Sequence, residues 1–428
     1  MNGSLQAEAL AQKLVAAIDE EVAEQLCTII QHPRFKALES LWRGLLYMMD
    51  AVPGVAPVRV RLLSMSWAEL SHDLNLSTSI QTSVLFRLVN RQELNTLGGH
   101  PFGLLVVDQA ITTEVDEVTG YDDLYTLQLL AELGQESLCP VVMTVSENFL
   151  GTSDIDVWTD PERVQRILNS QDFAGWRRLR SLGCSRFLGL AFPKVLLRTP
   201  WQHCYQGILF NEHPVYGVGS DYLWGNSAFA FAGNVLQEFN RIRWFGFLRV
   251  PGERGGALVK KRATVSAAAW LRLTDSLEEF YSGQGFIPLT TVYLSGDLAF
   301  FSNCSLHQSG WEGDDLRIIN MLQTTLIGCR FGHYLKVLIR EHIGSYDSAV
   351  SCQRELNTWL QGYTSNADYA DDSVLASYPL KKSRVTIHGN ESLGIYYCEV
   401  ELQPQYQFDV INSSLLLKTD TSELRETE

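Results

Sequence analysis

No C-x-x-C pair occurs among the eight cysteines, which stand at 27, 139, 184, 204, 304, 329, 352 and 398. Such scatter speaks against a disulfide framework and fits buried thiols in a reducing compartment. A basic start followed by an apolar run is missing as well: the chain opens MNGSLQAEALAQKL, which is no secretory leader. Apolar runs such as LLVV and PVVM fall far short of the roughly 20 residues that span a bilayer. Basic residues are the scarcer charge, 34 Lys and Arg against 49 Asp and Glu, so the formal net charge is −15. That sign disfavours non-specific binding to nucleic acid or anionic membrane. The expectation is a cytoplasmic protein with no nucleic-acid partner and no membrane insertion.

What is present suffices for a folded body. The chain has 428 residues, 46% of them hydrophobic and only 19% charged, enough for two or three domains with real cores. Leu10, Leu14, Ile18, Val22 and Leu26 recur every fourth residue among Glu8, Lys13, Asp19, Glu20, Glu21 and Glu24, which predicts an amphipathic helix. Pro33 interrupts it, and a second helix follows with Phe35, Leu38, Trp42, Leu45 and Met49 on one side.

From about 56 to 145, β-like runs (VRVRLLSMS, FGLLVVDQ, PVVMTV) alternate with helical ones, which argues for an α/β layer. FGLLVV is apolar throughout, as a strand covered on both faces would be. LWGNSAFAFAGNVLQEF reads as a helix of small residues for close packing, with Phe229, Phe231 and Phe239 for bulk. LRVPGERGGALVKK reads as a loop and AWLRLTDSLEEFYSGQG as a helix closed by glycines. Beyond about 310 come two helices, an acidic polar loop (SNADYADDSVLASY) and three β-runs, together a small α+β unit.

Each motif that hints at chemistry is incomplete. Gly225-Asn226-Ser227-Ala228 supplies four of the five positions of G-x-S-x-G, but Phe229 stands where the last glycine belongs. Cys329 and His333 lie at i and i+4, yet no second pair at ligand spacing completes a zinc set. His342 adds no H-E-x-x-H pattern, and Cys304 with His307 fares no better. GERGGALVKK lacks the spacing and the Ser or Thr of a phosphate-binding loop. The residues therefore assign no catalytic group, no cofactor and no metal. Arg43 and Arg198, each set among large apolar residues, call for a carboxylate partner, either within the fold or across an interface.

Several segments say more as an ordered set. They are IIQHPRFKALESLWRGLLYMMD, RFLGLAFPKVLLRTP, DYLWGNSAFAFA, GQGFIPL, CRFGHYLKVLIREHIGS and YPLKKSRVTIHG with the strands after it. In this order they resemble the large sheath subunit of bacterial type VI secretion systems, the TssC/VipB family, over about residues 10–420. The patterns HPxFxxLExxWRGL, from His32, and HYLKVLxRExIG, from His333, are specific to it.

The resemblance implies N-terminal helices over 1–50, a sheath-type mixed α/β core over 51–310, and a C-terminal gp25-like α+β domain with linking strands over 311–428. It implies a structural, non-enzymatic role in the cytoplasm of a Gram-negative bacterium. The partners would be a small sheath subunit of the TssB/VipA kind, further copies in a helical polymer, the inner tube that the sheath drives out by contraction, and the baseplate. Family members usually carry a longer N-terminal extension, which an AAA+ disassembly unfoldase grips. Here the chain begins almost at the HPxF helix, so that partner is not expected. The alternative reading is a sheath-like paralogue acting as a baseplate-proximal adaptor or assembly regulator, with a cytosolic hydrolase as a more distant one. By β-pattern and family position, Val385, Ile387, Ile395, Tyr397, Val400, Leu402, Leu415 and Leu417 are the interface candidates, on strands lent to or taken from a neighbour.

Overall fold

A computed structural model describes residues 2–51, 58–115, 120–205, 208–213, 222–246, 248–249, 257–259, 268–293, 295–308, 320–341, 349–365, 378–390, 395–404 and 415–420. Two helices open the chain, α1 (Asn2–Ile30) and α2 (Pro33–Asp50). Pro33 makes the corner as expected: it occupies the first turn of α2, where a missing N–H costs nothing, and the His32 ring accepts a hydrogen bond from the Arg34 amide.

Strands β1 (Leu105–Ile111), β2 (Val141–Val145) and β3 (Leu188–Phe192) follow. After them come the short β4 (Val195–Arg198), β5 (Gln202–Tyr205), β6 (Ile208–Asn211) and β7 (Leu223–Gly225). Strand β8 (Phe286–Pro288) completes a parallel sheet in the order β1-β2-β3-β8.

Side chains alternate across this sheet, and each face meets its own apolar layer. Val141, Met143 and Val145 of β2 join one core with Leu190, Phe286, Trp158, Trp176 and Tyr281. Val142, Ala191 and Ile287 join the other with Phe231, Leu322, Leu326 and Phe331. The first core is roofed by the helix Asp123–Ser137, which the Asp122 carboxylate caps by accepting from the Leu124 amide. Trp158 stacks on Phe192 with ring centroids 4.7 Å apart, and Trp176 on Phe286 at 5.4 Å. Gly189 of β3 lets the helix Leu322–Glu341 approach: a Cβ there would sit 2.8 Å from methyl carbons of both Ile287 and Leu322.

After the paired β9 (Thr290–Thr291) and β10 (Leu298–Ala299), the C-terminal part has the helices-then-strands order expected of it. The helices Leu322–Glu341 and Ala349–Gln361 precede β11 (Leu380–Asn390), β12 (Ile395–Pro404) and β13 (Leu415–Asp420), which form one antiparallel sheet in that order. Val385, Cys398, Val400 and Leu402 point into the second core, so that core runs without a break from the parallel sheet into the C-terminal strands.

Several sequence expectations need correction, among them the helix read over LWGNSAFAFAGNVLQEF, which starts only at Ser227 because Leu223–Gly225 form β7. β1 is half-buried, not covered on both faces, because it is the edge of the sheet; the fully buried strands are β2 and β3. Residues 58–66 form no strand, and Leu62 and Leu63 are exposed. In AWLRLTDSLEEFYSGQG only Asp275–Gly283 is helical. The GERGG loop and the acidic stretch between Ser365 and Tyr378 lie outside the described residues.

Candidate functional site

α2 is apolar on two faces. Its inner face sets Leu41, Leu45 and Met48 against Phe229 and Ala232 of the helix Ser227–Ile242. Two glycines make that crossing close. A Cβ on Gly44 would fall 2.6 Å from the Phe229 ring, and one on Gly233 2.9 Å from the Tyr47 ring. Small residues in the helix thus serve the close approach their composition suggested. The outer face carries Phe35, Leu38, Trp42, Leu46 and Met49, all exposed, with Trp42 at 58%. α1 adds Leu10, Leu14, Val15, Ile18 and Ile29, likewise exposed, and buries only Cys27 among its described side chains. A helix with an uncovered apolar stripe is unstable alone in water, and a contiguous apolar surface of this kind marks an interaction site.

Beneath this surface lies a charge network. The Arg198 guanidinium on β4 is 5% exposed and forks onto two carboxylates. Its Nε and Nη2 donate to Glu39 of α2 at 2.8 and 3.0 Å, and its Nη1 and Nη2 donate to Glu212 at 2.5 and 3.2 Å. Arg43 donates to Glu39 at 2.8 Å; Glu212 also accepts from the Gln31 amide at 2.5 Å and the Trp201 N–H at 2.9 Å. Both guanidiniums lie over the Trp201 ring, at 5.4 Å for Arg198 and 5.8 Å for Arg43. Burial alone would raise the Glu39 carboxyl, but the Arg198 and Arg43 bonds and charges outweigh it and hold it below its ordinary value. The sequence singled out the two arginines; the intramolecular alternative is the one found, and Glu39, Glu212 and Gln31 are the partners that reading did not name.

The chemistry candidates stand apart. Ser227 follows a strand, as an elbow serine would, but β7 pairs antiparallel with β4 and the serine is the first residue of a packed helix. Its hydroxyl is fully buried and makes no hydrogen bond among the described residues, so none of them acts on it as a base. Burial pushes the Cys329 thiol well up and brings the His333 imidazole down to about 4. Cys304 lies 3.1 Å from the Ser282 hydroxyl, and His307 Nδ1 lies 2.8 Å from the Leu182 carbonyl. Among the described residues no group of three or more His, Cys, Asp and Glu is placed to hold a metal ion. A groove of about 600 Å³ near Arg163, Arg166 and Phe173 is lined by no histidine, cysteine or lysine.

In the C-terminal sheet, Val385, Val400 and Leu402 are buried in this chain's own core and Ile387 is half-buried. Ile395 and Tyr397 belong to β12, and Leu415 and Leu417 to β13, where Leu417 is opposite Val400 and Leu415 opposite Leu402. On the opposite face Arg384 faces Glu401 across the ladder, and His388 Nε2 lies 3.4 Å from Glu399.

A body with two uncovered helical faces, a terminal sheet and no assembled reaction centre among its described residues is built for association. The family comparison gives the class. Residues 12–307 match the EvpB/VC_A0108 tail sheath N-terminal domain, and residues 312–421 match the tail sheath gpW/gp25-like domain. The chain belongs to this tail sheath family and is a structural sheath subunit of the type VI secretion kind. It is 27% identical to the type VI secretion system sheath protein TssC1 of Pseudomonas aeruginosa, over 97% of this chain and 86% of that protein.

Among solved structures it is similar to the sheath complex of an extracellular contractile injection system in its contracted state. That match has 11% identity and a TM-score of 0.38, covering 72% of this chain and 70% of the other. The sheath tail protein of Listeria innocua is also similar, at 13% identity and a TM-score of 0.33, over 70% of this chain and 59% of that one. No described helix is long and apolar enough to cross a membrane.

Proposed function

We propose that this chain is the large subunit of a contractile sheath that polymerises with a small sheath subunit around an inner tube and shortens to drive it out from a baseplate. The observation that carries this reading is the apolar surface of α1 and α2, which one copy leaves in water. An amphipathic helix of the small subunit laid along Leu14, Ile18, Leu38 and Trp42 would bury it, in the manner of helix-in-groove recognition. The C-terminal sheet is where extended segments link one copy to the next, through its backbone ladder; of the eight residues named for it, Val385, Val400 and Leu402 already pack in this chain's own core and hold the sheet in place. Main-chain ladders of that kind act as tethers while subunit bodies move.

The division at about 50 and 310 goes with these roles: helices for the partner, an α/β body, and a linking C-terminal part. Catalysis has no place in the scheme, and the working compartment is the cytoplasm.

The test is co-expression with a small sheath subunit, followed by sedimentation and negative-stain microscopy. The wild-type chain is expected to form tubes. Leu38→Glu/Trp42→Glu keeps a folded circular dichroism spectrum, since both side chains face away from the interior, but yields neither tubes nor co-purification. Tubes formed by the double variant would end this reading.

A further inference from the structure

A three-stranded sheet has two open edges, each a template for another strand. In this chain one of them is already occupied, and not by a strand. The helix Ala349–Gln361 runs beside β11 and presents amide side chains to its main chain. Asn357 Oδ1 accepts from the Val385 N–H at 3.0 Å, and Asn357 Nδ2 donates to the Val385 carbonyl at 3.2 Å. Gln353, one turn earlier, accepts from the Ile387 N–H at 3.2 Å.

Past the helix end the main chain takes over. The Leu380 N–H donates to the Tyr363 carbonyl at 3.2 Å, and the Ser365 N–H donates to the Leu380 carbonyl at 3.0 Å. Thr364 and Ser383 hydroxyls meet at 3.1 Å. Residues 385 and 387 point their N–H groups away from β12, because alternate residues of a strand serve opposite sides. Asn357 thus makes to Val385 the donor-and-acceptor pair that a neighbouring strand would make.

We propose that Asn357 and Gln353 are strand substitutes that close the β11 edge, so that, among the described residues, β13 and not β11 is the edge that accepts an extended segment of a second copy. This rests on the reading that the C-terminal sheet links copies. The consequence is valency: one acceptor edge per sheet propagates a single line of links, whereas two would let sheets join side by side into branched or amorphous material. Lys381, Lys382 and Arg384 on the same strand add the charges that edge strands use against such pairing.

The test uses the full chain. Asn357→Ala/Gln353→Ala keeps good helix formers in the helix but removes the three bonds. Amides of Val385 and Ile387 are expected to exchange about tenfold faster, with those of Leu356 and Leu360 unchanged. The purified variant, still folded by circular dichroism, is expected to sediment as large irregular assemblies without any partner. Gln353→Glu, which still accepts from Ile387, behaves as wild type. Unchanged exchange at Val385 and Ile387, or a sedimentation profile equal to wild type, overturns the proposal. The linking reading has its own readout: Leu417→Pro removes a ladder N–H from β13. Tubes that still form with this variant would remove the linking reading, and with it the valency role, while the exchange result stands on its own.

Discussion

Replacing Arg198 by methionine removes the charge that holds two buried carboxylates while keeping much of the side-chain length. The structure sets the size of the effect. Glu39 retains Arg43 at 2.8 Å, and Glu212, whose side chain is fully buried, retains the Gln31 amide at 2.5 Å and the Trp201 N–H at 2.9 Å. Breaking a buried pair costs about 3–5 kcal/mol, and these surviving partners place Arg198→Met near ~3 kcal/mol. The loss falls on the attachment of α2 to β4, so native-state amide exchange over residues 33–50 is the assay. About 3 kcal/mol corresponds to a rise in exchange of somewhat over a hundredfold in α2, with the amides of β2 and β3 unaffected. Adding Glu39→Gln and Glu212→Gln removes the orphaned charges and restores most of the protection. Exchange in α2 within about threefold of wild type in Arg198→Met would refute the claim that this network holds the helix.

Acid should loosen the same joint. The Glu39 carboxyl titrates lower folded than unfolded, so its stabilisation is complete above the ordinary value of 4.5 and is lost as pH falls through the folded value. Exchange in α2 is therefore expected to accelerate more steeply below that pH in wild type than in Glu39→Gln, and equal slopes would contradict this. Gly189→Ala forces a methyl against Ile287 and Leu322, which it would meet at 2.8 Å. Overpacking of this kind costs about 1–3 kcal/mol, read as a lower thermal midpoint; an unchanged midpoint would mean the helix Leu322–Glu341 yields freely.

β2 was legible because both its faces are covered, and the apolar run in PVVMTV records that directly; β3, though equally buried, was not legible as a strand. FGLLVV carries the same kind of run but lies at the sheet edge, a fact of strand order that no local pattern contains. The VRVR alternation at 58–61 imitates a strand but pairs with none among the described residues. Periodicity located Phe35, Leu38, Trp42 and Met49 but set Leu45 beside them, which packs on the inner face instead, and it cannot tell whether the same chain or another covers the stripe. Leu46 was missed because α2 is apolar on two sides. Arg198 stood out by its apolar neighbours, whereas Glu39 and Glu212 did not, since their burial is created by distant segments meeting. Gln353 and Asn357 read only as helix polarity, because their partners on β11 come some 30 residues later.

The two ways in which the N-terminal helices are held differ in kind, and the difference matters for a subunit under load. α2 has an apolar contact, Leu41, Leu45 and Met48 with Phe229 and Ala232, made tight by Gly44 and Gly233. The hydrophobic drive behind that contact is non-directional. The Arg198 fork is directional, because a planar guanidinium between two carboxylates has one geometry and a buried charge moved off its partner is costly. The joint therefore fixes the register of α2 on the body, and under the proposed docking on the outer faces of α1 and α2 a pull would load the ion pairs to β4.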